Sequence, residues 1–153
     1  SSTPYQQSIF DNQIIAAQSV NNSFLELQTA VINDWVNKPL QIYEGTCGMT
    51  LDRKVQKAWD SFNNTVARHA PFIENNVDIV TGKIFDAMVK LAKTFQKEKK
   101  DLDDITNKVN ALIHLREDME KAIRKAFHID GLSKANSKQI ENLIKSVENT
   151  KLH

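Results

Sequence analysis

Four histidines, a single cysteine and three closely spaced aspartates are the residues of this chain whose types invite chemistry. Cys47 stands between glycines, in Gly45-Thr46-Cys47-Gly48. A nucleophilic thiolate needs a neighbouring base and an electropositive setting. No signature in the sequence supplies either, so a half-buried loop cysteine is the expected role. His69, His114, His128 and His153 show no matched spacing. Helical metal centres use Glu-x-x-His from two helices; here His114-Leu115-Arg116-Glu117 runs in the opposite order and has no second copy. Asp101, Asp103 and Asp104 lack the following glycine and terminal glutamate of a calcium loop, and read as first-turn helix acids. No glycine-rich phosphate loop and no His-Glu-x-x-His is present. No catalytic residue, metal ligand or cofactor is therefore expected, and the chain reads as a non-enzyme.

The elements around these residues are helical. Gly and Pro number only 4 and 3, and long helices avoid both while sheets and tight turns need them. Ser2, Thr3 and Pro4 make a helix start. From there Phe10, Ile14, Ala17, Val20, Phe24, Leu27, Val31 and Trp35 recur every three or four positions, which predicts a first helix over 4–37. Residues 38–50 read as a loop, with Ile42, Tyr43 and Met49 tucking it onto the helices. Thr50 reads as a cap, with Asp52 in the turn that follows. A second apolar series runs from Leu51 through Val55, Trp59, Phe62 and Val66 to Val80, with a kink or a break expected near His69–Pro71. Gly82 is a further soft point. A third series, from Ile84 through Met88, Leu91, Phe95, Leu102, Ile105, Val109, Leu112, Met119 and Ile123 to Phe127, contains a polar gap at Gln96–Lys100. It fits either one very long helix or a turn near Lys99–Asp101 with Asp101 capping a new helix; the long helix is slightly favoured. Ile129-Asp130-Gly131 reads as a helix stop. A short last helix, capped by Ser133 or Ser137, must dock on something to persist.

The fold class that follows is all-α: long amphipathic helices in an antiparallel bundle or an elongated coiled-coil arrangement, with a short C-terminal helix. The expected division is a long-helix bundle over 1–131 and a short coiled-coil or docking helix over 132–153. The 153 residues suffice for one real core. Residues 1–50 hold one base, Lys38, against Asp11, Glu26, Asp34 and Glu44, while the remainder holds 19 bases and 15 acids. That gradient falls far short of the basic stripe of a nucleic-acid binder. A lone cysteine gives no internal disulfide, and no apolar run approaches a membrane span, so a cytoplasmic location is expected. Asn21-Asn22-Ser23 and Asn63-Asn64-Thr65 spell glycosylation sequons inside helical patterns, where they are expected to be fortuitous.

One segment has a family likeness. Phe127-His128-Ile129-Asp130-Gly131-Leu132-Ser133-Lys134, followed by Ile140, Leu143, Ile144 and Val147, resembles the tail of phasin-like proteins and of the non-catalytic subunit of class III polyhydroxyalkanoate synthases. The upstream segments Ile32-Asn33-Asp34-Trp35 and Lys57-Ala58-Trp59-Asp60 are compatible with either. Ser133 stands where the family usually has proline, and the Asn136-Ser137 region replaces an acidic residue. The likeness covers about the last sixth of the chain. It implies a protein that coats polyhydroxyalkanoate granules or binds and activates a polymer synthase, with catalysis left to the partner. Under it, Ile140, Leu143, Ile144 and Val147 form an oligomerisation seam, and the chain is expected to be a homo-oligomer. Phe24, Trp35, Trp59 and Phe62 are the expected contacts to a hydrophobic surface or partner. The alternatives are a helical-bundle adaptor or scaffold for a protein partner, and a carrier of a small apolar ligand.

Overall fold

Thr3 opens the first helix as its sequence demands. Its hydroxyl accepts from the Gln6 amide at 3.1 Å, and the Gln6 side chain accepts from the Thr3 amide at 3.0 Å, a reciprocal cap with Pro4 in the first turn. The computed structural model describes residues 3–33, 53–96, 101–127 and 134–149. Among these residues are five α-helices: α1 (Pro4–Val31), α2 (Arg53–His69), α3 (Asn75–Gln96), α4 (Leu102–Ala126) and α5 (Lys134–Asn149), with a 3-10 turn at Ala70–Phe72. Among the described residues there is no strand. The protein is all-α, with its helices packed as a bundle.

Two boundaries decide between options that the periodicity leaves open. The first helix, expected over 4–37, is α-helical through Val31 and π-helical at residues 32–33; residues 34–37 with Trp35, Cys47 and the expected cap at Thr50 lie outside the described residues. Pro71 ends a helix rather than bending one. It sits in the 3-10 turn, after which Ile73 turns extended (φ −75°, ψ 115°). The Glu74 carboxylate then accepts from the amides of Asn76 at 2.8 Å and Val77 at 3.4 Å, restarting the chain as α3. The favoured single helix through the polar gap is also overturned. α3 stops at Gln96, and Asp101, extended at φ −104°, caps α4 by accepting from the amides of Asp103 and Asp104. Residues 97–100 between the two helices lie outside the described residues. Gly82 does not interrupt α3.

Neighbouring helices run antiparallel. Ser23 and Phe24 of α1 meet Thr65 and Phe62 of α2. Thr94 and Lys83 of α3 meet Lys108 and Asp118 of α4. α1 also runs against α4, with Phe10 edge-on to Phe127 and Gln28 donating to the Leu112 carbonyl. α5 lies on α1 and α4. One apolar cluster takes side chains from every helix, including Phe24, Leu27, Phe62, Ile84, Leu112, Ile123 and Ile140. Each such side chain, fully buried, contributes about 1.5–3 kcal/mol. Leu102, the first residue of α4, breaks the pattern at 49% exposure.

Candidate binding surfaces

Of the four residues expected to face a hydrophobic surface, three meet one another. Phe24 and Phe62 lie at 6.3 Å between ring centroids, and Trp59 stacks on Phe62 at 6.0 Å and 11°. Phe85 of α3, which the sequence reading did not single out, completes the group edge-on to Trp59 at 5.3 Å and to Phe62 at 5.5 Å. Phe24 and Phe62 are fully buried, whereas Trp59 and Phe85 are half-buried and bring the cluster to the surface between α2 and α3. In the closed bundle, then, Phe24 and Phe62 touch other helices of the chain, and Trp59 reaches solvent with part of its ring. The outward face of α2 is basic, with Arg53, Lys57 and Arg68 all exposed.

The expected oligomerisation seam is placed inside the chain. Ile140, Leu143 and Val147 are 0%, 2% and 0% exposed in the common core, and Ile144 is half-buried beside them. Polar contacts hold the same helix at both ends. The buried Arg116 guanidinium of α4 donates to the Val147 carbonyl, in the last turns of α5 where the helix dipole favours a cation. Arg124 pairs with Glu148 as well as with Glu120, and Gln139 donates to Asp11 of α1 at 3.3 Å. Burial pushes the Arg116 guanidinium below its usual range, and the nearby Glu120 carboxylate partly offsets this. Sequence reading took Arg116 only as part of a failed metal motif; its role depends on a helix 31 residues away.

The core also holds polar residues. The hydroxyls of the two apparent sequons, Ser23 and Thr65, are buried and hydrogen-bonded to each other at 2.8 Å, and Asn21 is 2% exposed. The sequon pattern at Asn21 is therefore a fragment of the α1–α2 contact. Gln28 is fully buried and donates to the carbonyls of Leu112 and Ile113 at 3.0 and 3.2 Å, while its own Oε1 has no hydrogen-bond partner.

The remaining residues of chemical interest are dispersed. His69 closes α2 half-buried and His114 is exposed on α4; His128 and His153 lie outside the described residues. Asp101 is committed to capping α4. Among the described residues no three His, Cys, Asp or Glu side chains group to hold a metal ion, and no helix is long and apolar enough to cross a membrane. An open groove between α3 and α4 has Ala87, Ala111 and Leu115 in its lining. Its lysines are already paired: Lys83 with Asp118, Lys90 with Asp86, and Lys108 with Asp104. No protein-family model matches this chain, and neither does any curated protein or solved structure.

Proposed function

We propose that this protein is a non-enzymatic binder of hydrophobic surfaces, acting on polyhydroxyalkanoate granules or on the synthase that makes the polymer, as the likeness of its C-terminal segment implies. One observation supports this reading: the Phe24–Phe62–Trp59–Phe85 cluster joins the interior of the α1–α2 contact to the bundle surface through two half-buried rings. Trp59 makes the first contact in the closed form. Parting α1 from α2 then adds Phe24 and Phe62 to the contact, and their burial against polymer replaces their burial against each other. The exchange conserves most of the apolar area removed from water, so a hydrophobic surface can drive it at modest cost. In this reading the protein resides in the cytoplasm at the granule.

The test is co-sedimentation of the full chain with amorphous polyhydroxybutyrate particles, with bare silica of equal area as reference. Retention on polymer and not on silica is expected, together with a blue shift of tryptophan emission that Trp59→Ala reduces. Equal retention on both, or none on polymer, refutes the reading. A second reading, an adaptor that binds a protein through the intact bundle, is favoured by the complete burial of Phe24 and Phe62.

A further inference from the structure

α2 has two opposed faces. Val55, Trp59, Phe62 and Val66, at i, i+4, i+7 and i+11, turn to the core, with Trp59 and Val66 only half covered. Arg53, Lys57 and Arg68 stand on the opposite side, exposed and without an ion-pair partner among the described residues. The helix holds four cations to one acid, Asp60, whereas α4 holds five of each. Asp60 itself already takes the Gln56 amide at 2.9 Å. Helix stability does not account for this charge. Arg53 opens α2, where the helix dipole disfavours a cation, and Arg53 and Lys57 repel each other at i, i+4. A partner that supplies anions accounts for both.

We propose that α2 seats this protein on an anionic lipid surface. A basic helix with an aromatic apolar face is the form that lies in the plane of such a surface. From Arg53 to Arg68 the cations run along about 22 Å of helix. Fluid headgroups bring a phosphate to each of them, whereas nucleic acid calls for a denser basic row. The closed bundle meets the surface through Arg53, Lys57 and Arg68, with Trp59 at the edge of the contact. When α1 parts from α2, Val55 and Phe62 follow Trp59 toward the acyl chains, and the long stems of the three cations keep their charges at the phosphates. This second step rests on the same opening as the polymer reading; the preference for an anionic surface does not.

The test is flotation of the full chain with vesicles of phosphatidylcholine alone and of phosphatidylcholine with an equal part of phosphatidylglycerol. Affinity for the anionic vesicles is expected to exceed that for the neutral ones at least about tenfold, and to fall as salt is raised. Arg53→Glu/Lys57→Glu reverses two of the three charges at exposed positions and keeps their mutual repulsion as it was, so the fold is expected to stand, checked by an unlowered thermal midpoint. This variant is expected to lose the preference for anionic vesicles. Its retention on polyhydroxybutyrate is expected to match wild type, because the repeating ester carries no charge. Equal binding of wild type to both vesicles, or an undiminished preference in the variant, overturns the proposal and leaves the polymer reading untouched. Binding to neither vesicle also overturns it and makes an acidic protein the partner of this face. Failure of wild type to stay on polymer, with the vesicle preference intact, sinks the polymer reading alone.

Discussion

Ser23 and Thr65 share one buried hydrogen bond across α1 and α2, and removing one partner differs from removing both. Ser23→Ala strands the Thr65 hydroxyl and is expected to cost about 1–3 kcal/mol, whereas Ser23→Ala with Thr65→Val is expected to fall much closer to wild type. Urea melts of the two single variants and the double variant check this as a coupling energy. Gln28 is the complementary case. Its amide donates to carbonyls inside α4 while its Oε1 is desolvated and unpaired. Gln28→Met keeps the volume and removes that unpaired oxygen, so its unfolding midpoint is expected to match or exceed wild type, while Gln28→Ala loses about 2–4 kcal/mol to a cavity. None of this polar interior was legible in the sequence. Serine, threonine and glutamine on a helix read as solvent-facing until a second helix supplies the partner, and the partner of Gln28 lies 84 residues away.

At the scale of elements, apolar spacing carried the reading furthest. The buried residues Ile14, Ala17, Val20, Phe24, Leu27 and Val31 of α1, and Ile105, Val109, Leu112, Met119 and Ile123 of α4, are the ones that periodicity selects. Spacing leaves the start of α4 open, because a polar gap is compatible both with a new cap at Asp101 and with a solvated stretch of long helix. What decides is a local hydrogen bond, the Asp101 carboxylate on the Asp103 and Asp104 amides, together with the packing of α3 back on α4. Spacing also cannot say whether an apolar stripe serves its own chain or another: Ile140, Leu143 and Val147 share one apolar face, and the structure buries that face in the chain's own core, on α1 and α4. Gly82 lies inside α3, exposed, and a Cβ there would meet nothing within 4 Å. Gly82→Ala is therefore expected to stabilise the protein by about 0.5–1 kcal/mol, read as a raised thermal midpoint.

For the whole molecule, the closed bundle and the proposed surface-bound form use the same apolar faces, so function depends on whether α1 leaves α2. The Ser23 and Thr65 side chains face each other across the α1–α2 contact, their hydroxyls 2.8 Å apart, so a cysteine at each position puts two thiols face to face there. The most direct test is polymer retention of Ser23→Cys/Thr65→Cys in a Cys47→Ser background, compared in its oxidised and reduced states on polyhydroxybutyrate particles. The account predicts that the reduced protein binds like wild type and that the oxidised protein loses at least about tenfold in affinity, because the cross-link holds Phe24 against Phe62. Undiminished binding by the oxidised protein would contradict opening at this contact and leave the intact bundle as the binding form.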